Sequence, residues 1–204
     1  MKPRDILARR IEQDLRVQLE AVGFSWAASR LTFGRKIEGV VQRIAFSLSK
    51  WNSDDNCAFW TMWSVSSAEY SRWHRTQFGE KPPNDVLAGL PDWNIPGWTF
   101  SASKMAHLRN ARSDAAVMHE LNANVFRAGI PFIQSVSTWH AAAERLISER
   151  WFYARAVDFL ILASDHERAR ETLALAVHRY TSGEQVDQFH DLALLQLRQR
   201  KFFP

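Results

Sequence analysis

The sequence predicts an α+β fold: an N-terminal helix, an antiparallel sheet of about four strands, and a C-terminal group of about five helices packed on the sheet. Three observations carry this reading. Apolar residues recur at helical spacing from Leu7 to Val22, alternate at period two over 40–49 and 57–66, and return to helical spacing from Ser113 onward. The chain has 204 residues, 46% hydrophobic and 24% charged, which is enough for a proper core and unlike a disordered, collagenous or disulfide-stapled chain. The expected organisation is an α+β domain over 1–150 and a helical extension over 151–204 on the same core.

The first helix opens with Pro3 near its first position and Asp5 in its first turn. It places Leu7, Ile11, Leu15, Leu19 and Val22 on one stripe and ends at Gly23. Leu31 to Phe33 reads as a short strand, and Val40 to Ser49 as a half-buried one, the two joined by a hairpin turn near Lys36 to Gly39. A polar cluster, Asn52 to Asn56, leads into Cys57 to Ser66. There Phe59, Trp63 and Val65 take one face and Trp60 and Met62 the other, so large groups on both faces make this strand central.

Residues 70–98 read as loop, punctuated by Pro82, Pro83, Gly89, Pro91, Pro96 and Gly97, with one more strand over Trp98 to Ser101. From Ser113 the period becomes helical, with Ser113 or Asp114 as cap and Gly129 as stop. Further helices are expected over Thr138 to Arg150, over Trp151 to Ala163, from Asp165 to about Tyr180, and from Glu184 to about Lys201. The helix 151–163 is apolar nearly all round apart from Arg155 and Asp158, which marks it as buried.

Several of these stretches together resemble the uncharacterised bacterial family called domain of unknown function 4304. They are Gly23-Phe24 after the first helix, Leu31 to Arg35, Val40 to Phe46, Ser49-Lys50-Trp51-Asn52-Ser53 before an aromatic strand, Gly129-Ile130-Pro131-Phe132, and Ser137-Thr138. The resemblance covers about residues 5–148 and implies a fold; it brings no activity with it. Thr61, Met62 and Trp63 depart from the small apolar residue and Asn expected in the central strand, and the helical tail after 150 is an addition.

No apolar leader precedes the first helix, and the longest apolar stretch, Ala156 to Ser164, contains Asp158 and is too short to span a bilayer. One cysteine, Cys57, fits a reducing compartment, and the chain is expected to be cytoplasmic with no membrane partner. The net charge is +4 and nine residues are Trp. These two features occupy different places. Residues 1–50 hold ten Lys/Arg against five Asp/Glu, whereas 51–100, with six tryptophans, hold three against six.

Phosphate loops, the GxSxG elbow, HExxH and CxxC are all absent, so no catalytic residue, metal ligand set or cofactor is assigned. His140 with Glu144, and Asp187 with His190 and Asp191, share helical faces at metal-ligand spacing and read better as polar surface. His119 and His166 each sit beside a glutamate on a different side of a helix, and Cys57 reads as a buried small hydrophobe.

The leading expectation is a non-enzymatic binding protein, such as a toxin-neutralising or adaptor protein. Its aromatic region meets another protein through Trp51, Trp73, Trp93, Arg72 and Arg75. A nucleic-acid-binding alternative uses Arg9, Arg10, Arg35 and Lys36 of the basic N-terminal helix and hairpin; it is disfavoured because phosphate affinity needs clustered positive charge. A second alternative is a hydrolase or metal enzyme built around Asp54, Asp55 and His74.

Overall fold

The computed structural model describes residues 2–54, 56–100, 105–109, 111–184 and 191–204. The chain divides into two compact units, Met1–Gln134 and Ser135–Pro204. No helix among the described residues is long and apolar enough to cross a membrane.

In the first unit, α1 (Pro3–Asp14) and α2 (Arg16–Ala21) carry the predicted stripe as far as Leu19, with Leu7, Ile11, Leu15 and Leu19 all fully buried, whereas Val22 lies past the end of α2 and is exposed. A break at Leu15 does not move the stripe off its face. Gly23, at a φ of +88°, turns the chain into the sheet. The strands β1 (Ser25–Ala27), β2 (Thr32–Ile37), β3 (Val40–Leu48), β4 (Cys57–Ser66) and β5 (Val86–Pro91) follow one another in an antiparallel order. β6 (Ala106–Leu108) pairs with the start of β4. The β2–β3 hairpin closes at Ile37 and Val40 through Glu38 and Gly39, both at positive φ, which matches the twist of the strands they join.

β4 is central, as its two apolar faces predict: β3 lies along one edge, and β5 and β6 share the other. Cross-strand pairing sets Ile44 beside Trp63 and Phe46 beside Thr61 on the buried face, flanked by Phe33, Phe59 and Val65.

Several expectations are corrected. Residues 68–78 form a helix, α3 (Ala68–Phe78), where a loop is expected; Ser67 accepts the Glu69 N–H at its start and Gly79 ends it in the left-handed region. Tyr70 and His74 are its buried positions, a pair at helical spacing hidden in the sequence by the proline-rich stretch that follows. Residues 98–100 are not a strand, since the Asn124 side chain bonds the backbone of Thr99 in place of a neighbouring strand; Ser101 lies outside the described residues.

Gly129 does not stop its helix. α4 (Ala111–Asn124) widens into a π-helical turn, Val125–Gly129, and continues as α5 (Ile130–Ser135). The indole of Trp63 lies where a side chain at 129 would be: an added Cβ would meet its ring carbons at 2.2–2.7 Å. Pro131, which cannot donate to the helix ladder, follows directly, and the wider turn accommodates both. Asp114 is likewise inside α4 rather than at its cap, and accepts the Arg109 N–H at 2.7 Å.

The second unit contains α6 (Trp139–Ser148), α7 (Tyr153–Leu162), α8 (His166–Thr181) and α9 (Asp191–Phe202). α6 belongs here and packs on α7, although 1–150 is the stretch that the sequence groups with the sheet. Thr138 and Asp165 cap α6 and α8 as expected, accepting N–H bonds from Ala141 and Arg168. The expected start of the last helix at Glu184 is followed by residues 185–190, outside those described. α7 is buried almost all round and touches α6, α8 and α9. Its one acid, Asp158, is fully buried and held by Arg198 of α9 through two bonds of 2.8 and 2.6 Å. The same guanidinium donates to the carbonyls of Ala154 and Leu194, so charge and donors are both satisfied.

Two outcomes follow from this geometry. Gly129→Ala should lower stability by about 1–3 kcal/mol in thermal or urea unfolding, and combining it with Trp63→Phe should cost less than the two changes summed; strict additivity would contradict the contact. Arg198→Met, which removes the bidentate guanidinium from buried Asp158, should cost about 3–5 kcal/mol, and Asp158→Leu added to it should restore most of the loss.

Candidate functional site

At the end of β5 the chain enters a short 3-10 turn, Asp92–Asn94, and the carboxylate that opens it points back to β4. Thr61, fully buried on β4, donates its backbone N–H at 2.7 Å and its hydroxyl at 2.9 Å to Asp92 Oδ2. The Thr61 hydroxyl oxygen in turn accepts the Trp63 indole N–H at 2.8 Å. Asp92 Oδ1 accepts the Trp93 N–H at 2.8 Å. Three donors thus hold a carboxylate that is only 7% exposed, and no ion pair reaches it among the described residues.

Asp92 lines a cleft of about 320 Å³ in which the other described lining residues have apolar side chains. Phe59 of β4, Ala106 of β6 and Leu121 of α4 contribute from the regular elements, and Trp93, Trp98 and Phe100 from the segment after β5. That segment is fixed at both ends. Ile95 donates back to the Asp92 carbonyl and Trp98 to the Ile95 carbonyl, at 2.9 and 3.1 Å. Buried Asn124 then clamps Thr99, accepting its N–H at 2.9 Å and donating to its carbonyl at 2.7 Å. Trp98 meets the buried Trp63 edge-on, with ring centroids 5.8 Å apart, and Trp93 leans on Trp60 at 6.3 Å while staying 37% exposed.

Burial pushes the Asp92 carboxyl above its ordinary value, against the pull of the Thr61 and Trp93 donors. The cleft therefore presents one buried acid within aromatic walls. Among the described lining residues Asp92 is the one titratable group.

Of the partner-contact candidates, Trp93 alone lines this cleft. Trp51 stands 78% exposed with the Lys50 ammonium 4.9 Å from its ring centroid. Trp73 stacks on Tyr70 and meets Phe78 edge-on, while Arg72 and Arg75 lie exposed on the same helix. The nucleic-acid candidates are divided in use. Arg9 and Lys36 are exposed, and Arg10 pairs with Asp14 at 3.0 Å. Arg35 is committed inward, donating to Gln42 at 2.6 Å and to the Val22 carbonyl at 2.7 Å with its guanidinium 4.4 Å over Phe24, and burial lowers its pKa.

The candidate metal ligands have other engagements. His140 faces Asp165 at 3.3 Å, and Glu144 is bonded by Arg168, which holds its carboxyl below the ordinary value. Asp191 accepts the Tyr180 hydroxyl; Asp187, His190 and Asp55 lie outside the described residues. Asp54 is exposed in a turn, whereas His74 is buried between Tyr70 and Phe78 and donates from Nδ1 to the Glu80 carbonyl at 2.9 Å. Among the described residues no group of three or more His, Cys, Asp or Glu is placed to hold a metal ion. Cys57 is buried, its thiol donating to the Pro3 carbonyl, and burial followed by Asp114 pushes its pKa up to about 11. It is no nucleophile at neutral pH.

Asp92, Thr61 and Asn124 are absent from the sequence-derived candidates. Pro-Asp-Trp in a proline-rich stretch has the signature of an ordinary turn, and the partner that buries this acid lies 31 residues away. No family model matches the chain, and no curated protein or solved structure is found to be similar to it.

The raised Asp92 value has a definite sign. The protonated form is favoured in the fold, so the stability it contributes is full below the unfolded value near about 3.9 and is lost as pH rises through the folded value. Asp92→Asn cannot ionise. Its melting temperature relative to the wild type should therefore rise between about pH 4 and 7, and parallel curves for the two proteins would contradict the assignment.

Proposed function

We propose that the chain is a non-enzymatic binding protein, of the adaptor or toxin-neutralising kind, whose recognition surface is the aromatic cleft and its mouth at Trp93. One observation carries this reading: a large indole left 37% exposed at the rim of a preformed cleft that also holds a buried carboxylate. Aromatic residues at the edge of a desolvated pocket are where binding energy concentrates in protein interfaces. The net-acidic quarter that supplies most of the cleft disfavours a phosphate-bearing partner. Arg35, one of the two half-buried basic candidates, is already used by Gln42 and Val22, which weakens the nucleic-acid alternative further. The likeness of residues 5–148 to the domain of unknown function 4304 family adds an expected fold and leaves the function to the site.

The experiment is parallel affinity capture with the wild type and Trp93→Ala, with near-UV circular dichroism confirming that both are folded. A stoichiometric protein recovered by the wild type and lost by the variant is the expected result. An identical set of captured proteins with both would refute the cleft as the recognition surface.

A further inference from the structure

We infer that the cleft receives an alkylated ammonium group, a positive nitrogen whose substituents are carbon. The inference rests on the binding reading above and specifies the chemistry of its ligand.

Buried carboxylates in proteins are paired with cations or fully bonded by donors. Asp92 is 93% withdrawn from solvent, and among the described residues its partners are neutral donors, the Thr61 N–H and hydroxyl, the Trp93 N–H and its own backbone N–H, with no cation. These donors take up the roughly four acceptor positions of a carboxylate, but none of them carries a charge that neutralises it. The surroundings supply the rest of the specification. Phe59, Trp93, Trp98 and Phe100 are the rings of the cleft, and aromatic faces attract positive charge.

Donor counting then separates the classes of cation. A primary ammonium brings three N–H donors and a guanidinium five. With those acceptor positions taken and only apolar side chains elsewhere among the described lining residues, either would lose hydration with no side-chain acceptor in its place. A quaternary or heavily methylated ammonium has no such need. It spreads its charge over methyl groups that sit against ring faces, and it requires only a nearby opposite charge. At about 320 Å³ the cleft is at the small end of ligand pockets, suited to a head group rather than an extended molecule.

The probes are choline, its uncharged isostere 3,3-dimethyl-1-butanol, n-butylammonium, and a short peptide carrying Nε-trimethyl-lysine. Each is titrated into the full chain while the indole N–H resonances are followed. Choline should bind saturably, shift the indole signals of Trp93 and Trp98, and exceed its neutral isostere by about tenfold or more. n-Butylammonium should be weaker than choline. Asp92→Asn, which keeps the size of the side chain, and Trp93→Leu should each reduce choline affinity about tenfold while the remaining indole signals stay dispersed as in a folded protein.

Tighter binding of the peptide than of choline would place the ammonium on a protein partner; equal or weaker binding would make it a free small molecule. Equal affinity for choline and the alcohol, or no saturable response to choline in the millimolar range, overturns the inference. In that case a partner still lost by Trp93→Ala would leave the binding reading standing. Choline binding with unchanged protein capture would remove the protein partner and keep the ligand.

Discussion

The indole of Trp63 has to satisfy two demands at once, volume for a double ring at the centre of a sheet and an acceptor for its N–H, and the first unit is arranged around both. The volume is taken from the helix above: Gly129 is the residue over which the ring lies, and the helix widens to a π turn there while continuing on either side. The acceptor is Thr61, two positions earlier on the same face of β4, which then needs an acceptor of its own. Asp92 fulfils that need. A core side chain thereby fixes the position of a carboxylate that reaches the surface cleft, and the site inherits its rigidity from the sheet.

Two buried aspartates illustrate what a low-dielectric setting asks of a charge. Asp158 has Arg198, a bidentate partner that also satisfies two carbonyls, and nothing about it remains to be completed. Asp92 has neutral donors alone. Hydrogen bonds from an amide and a hydroxyl stabilise a carboxylate but add no opposite charge, so burial remains the largest influence on it. The contrast is chemical, since both groups are withdrawn from water to a similar degree. A charge left without a counter-ion beside open volume is the kind of group a ligand can complete.

Legibility in the sequence follows the range of the interaction concerned. The hairpin at Glu38-Gly39, the central position of β4, and the caps at Thr138 and Asp165 depend on neighbours within a few residues, and local pattern reveals them. α3 also has local signals, Ser67 and Gly79, but they stand next to a run of prolines and glycines that dominates any window covering them. Gly129 and Asn124 could not be read locally. A glycine near the end of a helical pattern resembles a stop whether or not a tryptophan 66 positions earlier requires the space, and an asparagine on α4 gives no sign that it replaces a strand partner for Thr99. Asp92 belongs to this second group, which is why Trp93 was legible as a candidate and the acid beside it was not.

The excess of positive charge and the abundance of tryptophan are separate properties of this chain, and the structure gives each its own physical role. The basic residues of the first fifty are partly spent on internal work: Arg35 anchors the end of α2 to the sheet, Arg10 and Arg16 pair with acids on their own helices, and Arg4 bonds the Ala28 and Ser29 carbonyls. Trp93 and Trp98 of the segment after β5 instead line the cleft that holds the Asp92 carboxylate. An anionic ligand would meet that carboxylate with no cation among the described lining residues to offset it, and an uncharged one would bring no opposite charge. A cation relieves the burial of an ionised Asp92 and uses the ring faces at the same time, so the acid and the aromatic walls that look unrelated in sequence favour the same class of ligand.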